Sequence, residues 1–348
     1  VKPTVVTGAN GHVGNNICRL LAERGEPVRA MIRSSADAKS LEGLGVEIVR
    51  ADILDAGSTA AAIEGAGLLY HTAAGFLMWS TNPERDIVRP SVEGTRNVLE
   101  AAAKAGVEKV VYTSTTGTMG FGATPEEVID ESRFNEHPHT DYVRGKIAAE
   151  REAFAISART GLPLCVTNPG LILGPRFWKL SESVKQIADF LNRGAPLYFA
   201  GGFSAVDVED VARGSLAAME KGRNGQRYIL AGENLTVKEL FDILADLTGL
   251  AAPKIKAPVA LLRALAALME LVAKLTGSRP VLDRSQVDEF AGKYGYFDCT
   301  KAKRELGYSY LPARETLRRT VAWLVNNGFV SERRRQAMKP HPSLADAY

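Results

Sequence analysis

Three glycines at fixed spacing, in the stretch TGANGHVG at residues 7–14, constrain this chain more than any other feature of its sequence. TVVT (Thr4–Thr7) reads as a short buried strand, and the residues after Gly11 carry Val13, Ile17, Leu20 and Leu21 at helical spacing. A strand that turns through glycines straight into a helix directs backbone N–H groups and the helix N-terminus at one spot. The missing side chains let a pyrophosphate approach closely. Gly8, Asn10, Gly11, His12, Val13 and Gly14 are therefore the expected phosphate loop of a dinucleotide site.

The pattern that follows supports this. Residues 27–33, 46–50, 68–72, 109–113 and 162–167 read as strands, and residues 11–24, 36–43, 57–64, 84–105 and 141–160 as helices. Such alternation predicts an α/β chain built on a doubly wound parallel sheet, with ligands at the carboxyl ends of its strands. Beyond Asn168 to Pro175 the texture changes. Residues 176–203 read as helical with aromatics, DVEDVARGSLAAMEKG as a helix, 226–232 as a strand, and TVKELFDILADLTG as a helix from an N-cap at Thr236 to Gly249. Further helices are expected near 300–306 and 313–327. The expected division is 1–173 with 206–232 as the dinucleotide-binding domain and 174–205 with 233–328 as a smaller, mostly helical substrate-binding part. Residues 329–348 read as a polar tail with a solvated Arg333–Arg334–Arg335 cluster.

At 348 residues and 45% hydrophobic, the chain can bury one large core or two intimate ones. A net charge of +3, with no basic run interleaved with aromatics, gives no reason to expect a nucleic-acid groove. Cys18, Cys165 and Cys299 lie far apart without metal-ligand spacing, so no metal is expected and a reducing, cytoplasmic setting is. The sequence enters its first strand at once, which leaves no signal peptide to expect. Residues 258–277 are apolar, but Arg263, Glu270 and Lys274 share one stripe of the helical wheel. This predicts an amphipathic helix, packed on the protein in the leading reading and touching a membrane surface in the other, and no membrane span.

Chemistry enters with YVRGK. Tyr142 and Lys146, at i and i+4, share one face of the helix expected over 141–160. A phenol with its ordinary pKa of about 10 exchanges protons poorly at neutral pH, and a nearby lysine and nicotinamide cation favour the phenolate. Four hydroxyls, Thr113 to Thr116, crowd the end of the strand before it, and one of them can hydrogen-bond a substrate carbonyl oxygen.

In this order the pieces resemble the extended short-chain dehydrogenase/reductase superfamily, over about residues 3–328. The motifs are TGANGHVG, ADILD, HTAAG, the Thr115–Tyr142–Lys146 set, NPGLILGP, DVEDVARG and FDCTKAKRELGY. The resemblance implies a Rossmann-type sheet, with Thr115 as catalytic hydroxyl, Tyr142 as acid/base and Lys146 binding the ribose. It further implies cofactor contacts at Asp52, Ile53, Thr72, Ala73, Ala74, Thr113, Pro169, Gly170 and Ile172. Two positions depart from relatives: Ser91 replaces a usual asparagine, and Asn168 stands where sugar-nucleotide epimerases often carry arginine.

Thr116 and Gly117 follow Thr115, where dehydratases of the superfamily carry an acidic pair, and TSTTGTMG is more similar to the dihydroflavonol reductase and 3β-hydroxysteroid dehydrogenase branch. Phe76 and Trp79, with Phe177 and Trp178, supply an apolar lining for a hydrophobic small-molecule substrate, or pack the core. The leading expectation is an NAD(P)(H)-dependent ketone reductase or alcohol dehydrogenase. A sugar-nucleotide or hopanoid-associated sugar epimerase holding NAD, and a nucleotide-sensing protein without catalysis, stand behind it. The second strand ends at Arg33, with Ser34 and Lys39 close by and no carboxylate, so NADP(H) is expected in preference to NAD(H). Ala101, Ala102, Ala105, Ala148, Ala149 and Ala153 give two helices small residues on more than one face. In relatives the matching helices pair, so a homodimer is expected.

Overall fold

The structure, a computed structural model, describes residues 1–73, 79–276, 278–280, 282–339 and 341–345. Its first half alternates β1 (Thr4–Thr7), α1 (His12–Glu23), β2 (Val28–Ile32), β3 (Glu47–Arg50), α2 (Ala56–Ile63), β4 (Leu68–His71), α3 (Arg89–Lys104), β5 (Lys109–Thr113), α4 (Asp141–Thr160) and β6 (Leu164–Pro169). β1 and β6 are buried at every residue, as strands covered by helices on both faces must be. The chain then leaves the sheet through β7 (Leu171–Leu173), α5 (Glu182–Arg193), β8 (Leu197–Phe199), β9 (Gly202–Asp207) and α6 (Val208–Lys221). It returns as β10 (Arg227–Leu230), completing seven strands in the order β3-β2-β1-β4-β5-β6-β10. Every pairing is parallel. The order reverses between β1 and β4, so the glycine turn after β1 lies at the switch point where doubly wound sheets bind ligands.

The remainder runs β11 (Glu233–Thr236), α7 (Val237–Thr248), β12 (Ile255–Ala257), α8 (Val259–Thr276), α9 (Arg284–Phe290), β13 (Tyr294–Gly295), α10 (Thr300–Leu306), α11 (Ala313–Asn326), α12 (Glu332–Ala337) and α13 (Pro342–Ala345). α7 starts on a capping box between Thr236 and Glu239 and stops at Gly249, whose φ of 71° closes it. β9 pairs with β7, β11 and β13 in a second sheet, and β8 pairs with β12. A second core joins α5, α7 and α11.

Several expectations are corrected. Residues 36–43 make only a 3-10 turn, Lys39–Leu41. The Asp37 side chain accepts the Lys39 N–H (2.8 Å), Asn10 and Asn15 side chains hold the carbonyls of Asp37 and Ser40, and Gly43 and Gly45 turn the chain away. Residues 84–105 begin with a π-helical turn, Glu84–Val88, ahead of the proline in the first turn of α3. Residues 176–203 are not one helical tract: Gly194 ends α5, and the strands β8 and β9 follow. The tail at 329–348 is not solvated throughout. Val330, Met338 and Leu344 are buried in the second core, and the Arg334 Nε donates to Leu191 O (2.7 Å). The polar edge of α8 is present, yet only Leu262, Ala266 and Ala273 of that helix are buried. Ala101, Ala102, Ala149 and Ala153 pack inside the chain, between α3, α4 and the sheet.

Candidate active site

Steric constraint explains the glycine turn. Gly8 has a φ of +66°, and a Cβ there would lie 2.8 Å from the Cα of Ala73. At Gly14 a Cβ would lie 2.4 Å from Gly8 O and 2.8 Å from Thr72 Oγ1. Gly11 donates to Gly8 O (2.8 Å) and caps α1 with no side chain, so the first N–H groups of that helix are left for an anion. Behind the turn, Thr72 Oγ1 donates to Thr7 O (2.7 Å) and Thr7 Oγ1 bonds His71 Nδ1 (2.8 Å). Val13 is half-buried against the core beside this turn. His12 Nε2 lies 3.0 Å from Pro175 O and its ring meets Phe177 edge-on, tying the turn to the loop after β7. Burial pushes the His12 pKa down to about 4, so the ring is neutral at pH 7.

At the adenosine end, Arg33, Ser34 and Lys39 are exposed in the loop after β2. Asp37, five residues beyond the end of β2, accepts the Lys39 N–H through Oδ1 (2.8 Å). Sequence reasoning missed Arg50: from the end of β3 its Nη1 donates to Ser34 O (2.8 Å) and Ala36 O (3.1 Å), fixing the loop that carries Arg33. Asp52 Oδ1 accepts from Leu54 N (3.0 Å), while Ile53 packs at Gly94 and its carbonyl is held by Asn97 (2.8 Å). Ala73 N donates to Thr7 Oγ1 (3.1 Å); Ala74 and Phe76 lie outside the described residues. The closely approached glycines and the uncapped helix fit a dinucleotide.

The reaction end is assembled from β5, β6 and α4. Thr115 caps a 3-10 turn, Thr116–Met119, with its Oγ1 accepting from Gly117 N (3.2 Å) and its own proton still available. α4 starts at Thr140, places Tyr142 in its first turn and Lys146 one turn later. Lys146 is 6% exposed, donates to Thr113 O (3.4 Å) and lies 5.9 Å over the Tyr112 ring. Burial lowers the Lys146 pKa to about 8, with Glu150 acting against that, and burial raises the half-buried Tyr142 to about 12. The expected lowering of the phenol is thus absent from the protein alone. The hydroxyls of Thr113, Ser114 and Thr167 and the Asn168 Oδ1 are buried with no partner among the described residues. Gly170 is crowded by Ser204 O, which a Cβ would approach to 2.5 Å, and Ile172 pairs with Val206.

A buried polar network, also missed, underlies this site. Glu150 is fully buried; its Oε1 lies 2.8 Å from Arg227 Nε, and its Oε2 accepts from Thr118 Oγ1 (3.0 Å) and Asn168 Nδ2 (3.0 Å). Thr118 and Asn168 both bond the Thr115 carbonyl, at 2.9 and 3.1 Å. The Thr115 turn is therefore clamped to α4, β6 and β10. The one available signal was an arginine inside the buried strand RYIL. From α9, buried Glu289 accepts from His139 N (2.7 Å) and Thr140 N (2.8 Å), anchoring the start of α4. Ser91 bonds Ile87 O (2.7 Å) and lies against Gly145.

Among the substrate residues the expectation for Phe177 is corrected: it is 1% exposed and packed with His12, Trp323 and Phe329, so it belongs to the second core. Trp178 is 40% exposed with its ring 5.6 Å from that of Trp323, and Trp79 is half-buried. Among the described residues no group of three or more His, Cys, Asp or Glu is placed to hold a metal ion, and no helix is long and apolar enough to cross a membrane.

Comparison with known proteins gives a concordant result. The model of the NAD dependent epimerase/dehydratase family matches residues 4–231. "Sterol demethylase protein B" of Methylococcus capsulatus is 34% identical over 94% of this chain and 99% of its own length. A "putative dihydroflavonol 4-reductase" of Synechocystis is 34% identical over 93% of this chain and 95% of its own. The crystal structure of gox2253 superposes with a TM-score of 0.83 at 33% identity, covering 95% of this chain and all of that one.

Proposed function

The chain belongs to the NAD dependent epimerase/dehydratase family, an NAD(P)-using oxidoreductase with an extended short-chain dehydrogenase/reductase fold, and within it we propose that this protein is a carbonyl reductase or alcohol dehydrogenase. The substrate in this reading is a hydrophobic ketone or the matching secondary alcohol, and the cofactor NADP(H), with NAD(H) accepted. The observation that carries it is the packing of the α4 turn that bears Tyr142 and Lys146 against the carboxyl end of β5: Lys146 donates to Thr113 O (3.4 Å), and Val143 lies against Gly117, two residues after Thr115.

When bound, the nicotinamide supplies or accepts the hydride. Tyr142 holds the proton that the carbonyl oxygen takes up on reduction. The buried Lys146, one turn along α4, binds the cofactor ribose in this reading, and the positive charge that eases loss of the Tyr142 proton comes with the bound nicotinamide. Thr115 accepts from Gly117 N and so keeps its own hydrogen for the substrate oxygen, orienting it and stabilising the charge that gathers there. Thr116 and Gly117 provide no carboxylate beside Thr115, which argues against dehydration. Arg33, held out on a loop braced by Arg50, supports the NADP(H) preference: a guanidinium there suits a 2′-phosphate.

The test is a panel of ketones and alcohols followed at the nicotinamide absorbance band with both cofactors. Consumption of NAD(P)H with a ketone supports the reading. Stoichiometric bound NAD with no net turnover would assign the site to the epimerase alternative instead.

The proposal includes a cytoplasmic setting and a homodimer through α3 and α4. Since the alanines face inward and Arg96–Glu152 and Arg159–Glu100 pairs line the outside, that contact is charged rather than apolar. Light scattering at micromolar concentration tests it: a mass near 37.5 kDa rejects the dimer.

A further inference from the structure

We infer that α8 is a docking surface for an anionic lipid bilayer, which it meets lying flat with one face in the headgroup region. The helix has three faces. Leu262, Ala266 and Ala273 are buried against the protein, where they join a small cluster with Ala257 and Val287. Arg263, Glu270 and Lys274 make the polar edge. The third face is apolar and open to water: Leu261 is 46% exposed, Leu268 58%, Leu271 54%, Val272 49% and Leu275 79%. At 100° per residue, Leu261, Leu268, Val272 and Leu275 fall within about 60° of one another, a continuous stripe along the helix. Exposed apolar side chains are otherwise sparse. Of the twelve large ones exposed among the described residues, seven lie between Ile255 and Leu275, Ile255 itself at 67%. A contiguous patch of this kind marks an interaction surface.

Charge identifies the occupant. From Lys254 to Arg284 the cations are Lys254, Lys256, Arg263, Lys274, Arg279 and Arg284, against only Glu270 and Asp283. Both acids are engaged: Glu270 pairs with Arg284 (2.9 Å), and Asp283 caps α9. Arg263 and Arg279 pair with Asp288 and Glu182. Lys254 and Lys256 are exposed and make no ion pair with any described residue, and exposed Lys274 meets only the charge of Glu270, which Arg284 already pairs, so the uncompensated charge flanking the stripe is positive. An apolar stripe bordered by lysines fits an anionic membrane surface. A second copy of this chain fits less well, because a two-fold contact along the stripe brings the same lysines of both copies to one rim with no free acid on the helix to meet them.

The test is co-sedimentation of the full chain with vesicles of phosphatidylcholine, alone or mixed with phosphatidylglycerol, and needs no substrate. Sedimentation is expected to be about tenfold greater on the mixed vesicles and to fall as salt is raised. Leu268→Glu with Val272→Glu, at exposed positions, abolishes binding, while Lys254→Gln with Lys256→Gln and Lys274→Gln removes the preference for anionic lipid. Circular dichroism and NADPH binding, both expected to be unchanged, confirm that the variants are folded. Absence of wild-type binding to the mixed vesicles, or binding that neither variant alters, overturns the inference. So does a dimer that the Leu268→Glu, Val272→Glu variant splits in the absence of lipid binding, which would assign the face to a second copy.

Discussion

Tyr142 is subject to opposing influences. Burial alone raises its phenol to about 12, and the same burial holds Lys146 down to about 8. The chain by itself therefore opposes ionisation of the phenol, and the lowering expected from the sequence has to come with the positively charged nicotinamide. Arg33 makes a separate prediction at this scale. Wild type is expected to prefer NADPH, and Arg33→Asp to lower kcat/KM for NADPH by roughly ten- to a hundredfold, the worth of charge-assisted hydrogen bonds to a phosphate. Steady-state kinetics with both cofactors checks it; a wild-type enzyme with lower KM and equal or higher kcat for NADH contradicts it. His71, 1% exposed behind the glycine turn, has its pKa pushed down from 6.5 to about 3, first by burial and then by Lys146. The unfolded chain takes up a proton there below about 6.5 and the folded chain does not until about 3. The stability His71 contributes is complete above 6.5 and is lost as pH falls, by up to about 1.4 kcal/mol per pH unit. Urea midpoints between pH 7 and 5 should fall, and His71→Gln should flatten that fall.

Among the elements, α4 depends on contacts that local sequence does not reveal. Glu150 and Arg227 are 77 positions apart and form a buried ion pair whose other hydrogen bonds hold the Thr115 turn. Glu150→Leu leaves the guanidinium buried without its carboxylate and should destabilise the fold by about 3–5 kcal/mol, whereas Glu150→Leu with Arg227→Met should recover most of that. Urea unfolding of the three proteins measures both, and equal losses in the single and double variants would contradict the account. The same contrast separates what the sequence made legible from what it did not. Buried parallel strands are apolar runs and amphipathic helices show their period, so β1, β5, α1, α4 and α7 could be read locally. β8, β9 and β13 could not. β8 and β13 are only three and two residues long, and β9, though six, pairs with β7, β11 and β13, so the pairings are set by other segments of the chain. The local placements of Thr115 at a strand end and of Tyr142 and Lys146 one turn apart on a helix were readable, because strand, turn and helix each show in the neighbouring residues. Glu150, Asn168, Arg227 and Glu289 act through partners drawn from four elements.

Over the whole molecule, the C-terminal part and helix α4 are mechanically joined. α9 contributes Glu289 to the start of α4 and Asp288 to an ion pair with Arg263 on α8, so the helix that carries Tyr142 is braced from the same region that presents the apolar stripe. Val330, Met338 and Leu344 add a further brace, packed in the core that joins α5, α7 and α11. On this frame Tyr142 acts, in the proposed function, as the proton donor of a ketone reduction. The most direct test of this role is turnover of Tyr142→Phe on the best ketone of the panel, with cofactor binding measured alongside. The account predicts turnover reduced at least about a hundredfold with cofactor binding retained, as loss of an acid–base group requires. Near-normal turnover in that variant would contradict it.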